Sequence, residues 1–401
     1  MRVSDDRPWQ SPGGEASPPP QAPPFAPPFA PPPGAPPFAP PFAQQPGAWA
    51  PPPKPGLIPL RPLGLGDILG ASFKVLRRNP RPVVGVSLLI KAIVAIITIS
   101  VMGLITVYGL AHAFDSSDPT LQGLNFGSLL QSLATSLVTF VLGLVADALL
   151  QGIITLEVAR GTVGEKLPLA ALWRRARGRI WALVGWSAAI GAVSLLAIIL
   201  LAFVVGILIA TAGIAGIIIG ILIGFFGAFV FIAIGAWLGT KLSLVPSALV
   251  LERAKLGAAI RRSWSLTRRF FWRTLGIELL VAVIVGTAAS IVLFPVGLII
   301  GFATLATQTS VDTATSTQNT FVTFVISTVV SAIIGAITAI VSTSATALIY
   351  IDLRIRKEGL DLDLMRFVEA RESGADVPDP YLVRSGGEAS AAPQDLGSPW
   401  S

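Results

Sequence analysis

Four ionisable side chains, Lys91, Asp147, Lys241 and Glu278, sit inside runs of sequence that are otherwise apolar. A charge at membrane depth is costly unless it is paired or lines a polar path, so each is a candidate for chemistry. Lys91 lies about nine residues into its run, and Asp147 lies ten residues before Glu157 at the end of the next. At a rise of about 1.5 Å per residue both are roughly 14 to 15 Å from the same edge, so the spacing predicts that they pair. Lys241 and Glu278 form a second candidate pair at less well matched depths. An intramembrane ion pair is either a lock between helices or part of a substrate path, and the sequence leaves both readings open.

A second group is cationic: Arg77 and Arg78, then Arg174, Arg175 and Arg177, then Arg261, Arg262, Arg268 and Arg269. Each cluster stands just before an apolar run. Such arginines act as anchors on the membrane surface or as contacts for anionic lipid headgroups, each contributing about 1 kcal/mol near an anionic leaflet. Acid-base and metal chemistry have little to build on. There is no Cys and a single His, His112, which belongs to no nucleophile motif, and no phosphate-binding Gly-rich loop is present. No catalytic residue, cofactor or metal site is expected, and no nucleic-acid partner.

The elements that must carry these residues are membrane helices. Of 401 residues 53% are hydrophobic and 13% charged, and the mean hydropathy is +0.73, a composition that describes a polytopic membrane protein. Six apolar runs, at about 83–110, 127–157, 180–208, 214–245, 271–302 and 319–352, each exceed the ~20 residues needed to cross a bilayer. The run from Ile180 to Leu251 is nearly unbroken and is divided at Ala210 to Gly216, where small residues permit a tight turn. Pro246 and Pro295 each remove a backbone donor, which predicts kinks. The loops at 111–126 and 303–318 carry Asp115, Asp118 and Asp312 and no Lys or Arg, whereas the other helix ends are rich in Arg. That asymmetry predicts a plasma-membrane protein with both termini cytoplasmic.

The runs are not independent. Phe73/Arg77/Gly85, Trp173/Arg177/Gly185 and Trp264/Arg268/Gly276 share one spacing. Each trio opens a hairpin-length apolar stretch, and each stretch closes on an acid and an Arg: Glu157/Arg160, Glu252/Arg253 and Asp352/Arg354. The fold class expected is an all-α integral membrane bundle of three parallel repeats, at about 63–160, 165–253 and 255–358, each a basic interfacial helix followed by a transmembrane hairpin. The bundle spans 59–360. Residues 1–58 hold a proline-rich stretch with repeated Pro-Pro-Phe-Ala units and predict a polyproline-II-like cytoplasmic tether. Residues 361–401 predict a short helix near Leu362 to Arg371 and then a disordered tail.

Four stretches carry a family resemblance: Arg61-Pro62-Leu63-Gly64-Leu65-Gly66-Asp67-Ile68-Leu69, Arg77-Arg78-Asn79-Pro80, Ala258-Ala259-Ile260-Arg261-Arg262-Ser263-Trp264, and Tyr350 through Asp361. They resemble actinobacterial multi-pass membrane proteins of unknown function, and are similar in turn to the membrane domain found beside the catalytic domain of some glycerophosphoryl diester phosphodiesterases. The resemblance covers roughly residues 59–362. It implies no hydrolase activity, because the catalytic barrel of such enzymes needs some 250 further residues with His and carboxylate ligands. The function expected is a non-enzymatic membrane protein that organises or anchors partners at the inner leaflet, with anionic lipids and a cytoplasmic protein bound by the proline-rich tail as partners. The alternatives are a transporter or handler of anionic lipid or amphiphile, and last a lipid-directed enzyme.

Overall fold

The computed structural model describes residues 56–113, 126–211, 213–308, 313–374 and 378–382, and among these every regular element is helical. The proline-rich stretch and residues 114–125, 309–312 and 383–401 lie outside the described residues. In chain order the helices are α1 (Leu65–Arg78), α2 (Val86–Ala113), α3 (Phe126–Thr162), α4 (Leu169–Ala176), α5 (Ile180–Thr211), α6 (Gly213–Leu242), α7 (Val245–Leu251), α8 (Leu256–Thr267), α9 (Phe271–Gln308), α10 (Thr313–Glu358) and α11 (Leu360–Glu372). A π turn at Arg81–Gly85, with Pro82 in its first turn, joins α1 to α2. His112 falls in the last turn of α2.

Six spans are long and apolar enough to cross a membrane: Arg81–Val107, Thr135–Thr162, Ile180–Thr211, Gly213–Leu251, Phe271–Phe302 and Gln318–Glu358. They coincide with the six runs read from the sequence. The division of the longest run falls within the expected small-residue stretch: α5 stops at Thr211, and Gly213 opens α6 with φ +57°, a conformation that Gly adopts without a Cβ penalty. The α5–α6 hairpin is close-packed through its glycines. A Cβ at Gly227 would stand 2.6 Å from Leu201 Cδ1, and one at Gly220 3.1 Å from Ile209 Cγ1, so only Gly lets the two backbones approach this closely. Pro246 breaks its helix outright, since α6 ends at Leu242 and α7 begins at Val245, whereas α9 runs on through Pro295.

The core is concentrated at one end of the bundle. Leu63, Ile68, Leu172, Leu183, Leu244, Leu249 and the α10 stretch from Ala347 to Ile351 are almost completely buried there. Farther along α5, α6 and α9, Ile199, Phe203, Ile221, Phe229, Ile232, Phe294 and Ile299 are exposed. In helices of this length those side chains form the surface that a hydrocarbon solvent covers. The crowded end is where α1, α4 and α8 lie, and it is also the charged end.

Burial there extends beyond the bounds read from the sequence. Leu57 and Ile58 are buried, and Leu57 N–H donates to Gly161 O at 2.7 Å, so residues ahead of 59 also belong to the packed unit. A Cβ on Gly56 would stand 2.2 Å from that same carbonyl oxygen, which leaves room for Gly alone. At the other terminus α11 covers the helix expected at Leu362 to Arg371. Residues 378–382, expected to be disordered, instead form a strap. Tyr381 is 1% exposed, its hydroxyl bonds Ala159 O and Thr162, and Arg354 Nη1 donates to its carbonyl at 2.9 Å. Composition hid this strap because one aromatic ring is enough to dock it. Burial raises the Tyr381 phenol above its ordinary pKa, against the hydrogen bond from Thr162.

These attachments set a sharp boundary for truncation. Deleting residues 1–55 should leave the melting temperature in detergent nearly unchanged, since a proline-rich tether buries little apolar surface. Leu63→Ala, at a site that is 0% exposed, should destabilise the bundle by about 3 kcal/mol. A large drop for the tail deletion, or none for Leu63→Ala in the same thermal-shift assay, would contradict this division.

Candidate functional site

The charged end is held together by three buried carboxylates, Asp352, Glu252 and Glu157, and a fourth that is partly exposed, Glu358, and they determine which cations remain free. Asp352, 1% exposed, accepts from Leu63 N–H at 2.8 Å, from Arg356 Nε at 2.9 Å and from Arg273 Nη2 at 3.1 Å. Both arginines also reach Leu63 O, at 2.9 and 2.6 Å. Glu252 accepts from Arg262 Nε at 2.9 Å and from the Tyr350 hydroxyl, and Arg354 stands 3.7 Å away. Glu358 accepts from Arg262 Nη2 at 2.6 Å and from Arg354 Nε at 3.0 Å. Glu157, 2% exposed, accepts from Asn79 Nδ2 at 3.2 Å.

Two arginines expected to meet lipid are thereby taken up in the scaffold. Arg262 is clamped between Glu252 and Glu358. Burial alone lowers its pKa, but the hydrogen bonds and charges of the two carboxylates outweigh that and hold it above its ordinary value. Arg78 donates to Gly161 O and, at 3.1 Å, to Glu165 O, which satisfies carbonyls at the end of α3. Burial pulls its guanidinium below the ordinary range, with Glu157 offsetting part of the effect. The stripe pattern could not separate these two from their neighbours, because Glu358, which faces Arg262, and the Gly161 and Glu165 carbonyls, which face Arg78, belong to segments distant in sequence.

Arg77, Arg174, Arg175, Arg177, Arg261, Arg268 and Arg269 are exposed, and none forms an ion pair among the described residues. Arg261, Arg268 and Arg269 converge. With Lys357 they line a pocket of about 530 Å³ between α8 and the end of α10, completed by Ile260, Trp264 and Ser265. Lys357 Nζ donates to Ser265 O at 2.6 Å and so ties α10 to α8. No lining residue is acidic. Lys357 was not legible as a site residue, because it lies almost a hundred residues from the arginines it joins.

Lys241 stands behind this pocket. It is 8% exposed, with Nζ 5.4 Å from the Trp264 ring centroid and 5.3 Å from that of Phe271. Trp264 is held edge-on by Trp237 at 5.7 Å, and Ser263 Oγ donates to Lys241 O at 2.7 Å. The expected pairing of Lys241 with Glu278 is therefore replaced by a cation–π contact. Glu278 lies instead beside Thr240 and Ser243. Thr240 lies near the end of α6, about 100° of helical rotation from Lys241, and Ser243 just beyond it, so the ammonium and Glu278 lie to different sides.

Lys91 and Asp147 do meet: Lys91 Nζ donates to Asp147 Oδ1 at 2.7 Å, linking α2 to α3. The two sides are unequal. The Lys91 side chain is 18% exposed and the Asp147 side chain 50%.

Residues 214–372, from α6 through α11, match the family model described as the membrane domain of glycerophosphoryl diester phosphodiesterase. The match takes in the basic pocket and the Glu252 and Asp352 clusters, together with the stretches at Ala258–Trp264 and Tyr350–Asp361 that carry the resemblance. No catalytic domain of that family is matched. No curated protein and no solved structure matches the chain.

The unequal exposure of the ion pair makes a testable asymmetry. Asp147→Ala strands the more enclosed charge and should cost about 3 kcal/mol, and Lys91→Ala should cost less, because the stranded carboxylate remains half exposed. The double variant should recover much of either loss. Simple additivity in thermal unfolding would mean that the pair contributes no coupling.

Proposed function

We propose that this multi-pass membrane protein captures phosphate-bearing lipid headgroups of the inner leaflet in the pocket between α8 and α10, and thereby anchors an assembly site on the membrane. One observation carries the reading. Arg261, Arg268, Arg269 and Lys357 surround one space with no carboxylate in its lining, while the nearest acids are already spent on Arg262 and Arg354. A cluster of unneutralised cations beside an interfacial Trp suits an anionic headgroup at the level where indole rings prefer to lie. The proline-rich residues 1–58 then serve as bait for a cytoplasmic protein, since Phe spaced within polyproline suits aromatic-lined grooves. Deleting residues 1–55 should abolish protein capture while leaving lipid preference intact.

The pocket predicts a graded loss. In nanodiscs, the preference for phosphatidylglycerol over phosphatidylcholine should fall about fivefold for each of Arg261→Gln and Arg268→Gln, as expected for about 1 kcal/mol per cation. Arg174→Gln, an exposed cation outside the pocket, should change it little. Equal effects at all three positions would reduce the pocket to part of a diffuse basic surface.

The same reading requires the charged end to face the cytoplasm, as the placement of Lys and Arg implies, with three parallel units that each enter and leave on that side. Cysteines introduced at Ser116 and Ser316 should then be labelled by an impermeant maleimide from outside intact cells, and those at Ser17 and Ser385 should not. The reverse pattern would place the pocket in the outer leaflet.

A further inference from the structure

A second cavity lies within the bundle, and its chemistry is the opposite of the basic pocket's. About 520 Å³ in volume, it is lined by α3, α5, α6, α7 and α10 and open on one side, within the size range of small-molecule sites. Asp147, Gln151 and Thr155 line it at i, i+4 and i+8, one face of α3. Ser187 of α5 and Ser342 and Thr346 of α10 face them across the space. From Thr155 to Asp147 the polar face rises about 12 Å along the helix axis, so it leads from the charged end towards the middle of the membrane.

The lining offers donors and acceptors, the Gln151 amide and the hydroxyls of Ser187 and Ser342 among them, and its buried unpartnered atom is an acceptor. Gln151 Oε1 is buried and has no hydrogen-bond partner. Half of the Asp147 side chain is exposed although Oδ1 is taken by Lys91. Thr346 Oγ1 donates to Ser342 O, and Ser243 Oγ, also in the lining, donates to Thr240 O. Their hydroxyl hydrogens are thus spent, and each oxygen keeps lone pairs for a donor. A buried acceptor such as Gln151 Oε1 is costly unless a donor meets it. Charge narrows the choice. Lys91 neutralises Asp147, so nothing favours a cation over a neutral donor, and no cation in the lining is free to meet a phosphate. Leu144, Ile190 and Leu238 add an apolar part of the wall, with Ser194, Ser247 and Thr343 beside it.

We propose that this cavity binds the uncharged, hydroxyl-bearing headgroup of a neutral glycerolipid of the diacylglycerol type, with Gln151 and Asp147 accepting from its hydroxyl and the apolar wall receiving the start of an acyl chain. A headgroup without charge is not tethered at the membrane surface, so it can reach the depth of Asp147. The site stands apart from the basic pocket, because its ligand carries no phosphate.

Trp186 lines the cavity and serves as a reporter, while Gly239 provides a way to fill it: a Cβ added there meets nothing within 4 Å. The experiment titrates the full chain in detergent with diacylglycerol carrying dibrominated acyl chains, which quench nearby indoles. Saturable quenching is expected, with the difference from Trp186→Phe assigning it to this site. Gly239→Leu and Gln151→Leu should each raise the Kd at least tenfold with unchanged melting temperature, and Arg261→Gln should leave it unaltered. Dibrominated phosphatidylglycerol should quench Trp186 only weakly. Equal quenching of Trp186 by brominated phosphatidylcholine, or binding unaffected by Gly239→Leu, would overturn the proposal and identify the cavity as water-filled or as general lipid contact surface. Should Gly239→Leu lower the melting temperature, Gln151→Leu decides alone: an unchanged Kd overturns the proposal.

Discussion

Burying a carboxylate at the end of a membrane bundle is expensive, and the charged end of this protein is organised around doing so three times. Asp352 shows how the cost is offset. Its oxygens meet one backbone N–H and two guanidinium groups, and the same guanidinium groups satisfy the carbonyl of the residue that supplied the N–H. Partnered this fully, a buried charge fixes a geometry even where it adds little net stability. The geometry it fixes is long-range: Leu63, Arg273 and Arg356 belong to three separate segments, so one side chain sets the entry of the chain, the start of α9 and the rotation of α10.

The same network decides which basic side chains remain unpaired. By consuming Arg262, Arg273, Arg354 and Arg356 it divides a broadly basic surface into cations locked into the scaffold and cations that form no ion pair among the described residues. The free ones are held by rigid elements. Lys357 sits between Arg356 and Glu358, both clamped, and itself donates to Ser265 O. The basic pocket is therefore preorganised, and a ligand would pay little ordering entropy in its walls.

How far the sequence showed this depends on the range of the interaction involved. Hydropathy is summed locally, so the six spans were legible, and so was the Lys91–Asp147 depth match, which needs only a count of residues from two helix ends. The assignment of Arg262 to the scaffold and Arg261 to the pocket was not legible, because adjacent residues in one stripe differ only in what α10 brings opposite them. Lys241 failed for a related reason: depth along α6 was read, and rotation about it was not. The strap left one signal, the apolar pair Tyr381-Leu382 in a polar stretch, which tail composition averaged away. The cavity left a clearer one in the Asp147, Gln151, Thr155 periodicity, a polar face inside an apolar helix.

The three proposed units differ at the position that closes the basic pocket. Five residues beyond the terminal acid stands Lys357 in the third unit, Thr162 in the first and Gly257 in the second. Lys357 reaches over α8 and closes a basic ring. Thr162 carries no charge, is fully buried, and bonds Ala159 O and the Tyr381 hydroxyl, so the strap covers in the first unit the position that stays open in the third. Gly257 has no side chain, and in the second unit the helix has already been broken by Pro246 and turned at Arg253, whose φ of 53° is held with its carbonyl bonded to Arg179. The basic helices thus differ in what the segment leaving each proposed unit brings to them, and the basic pocket lies where α10 continues as far as Lys357 and Glu358.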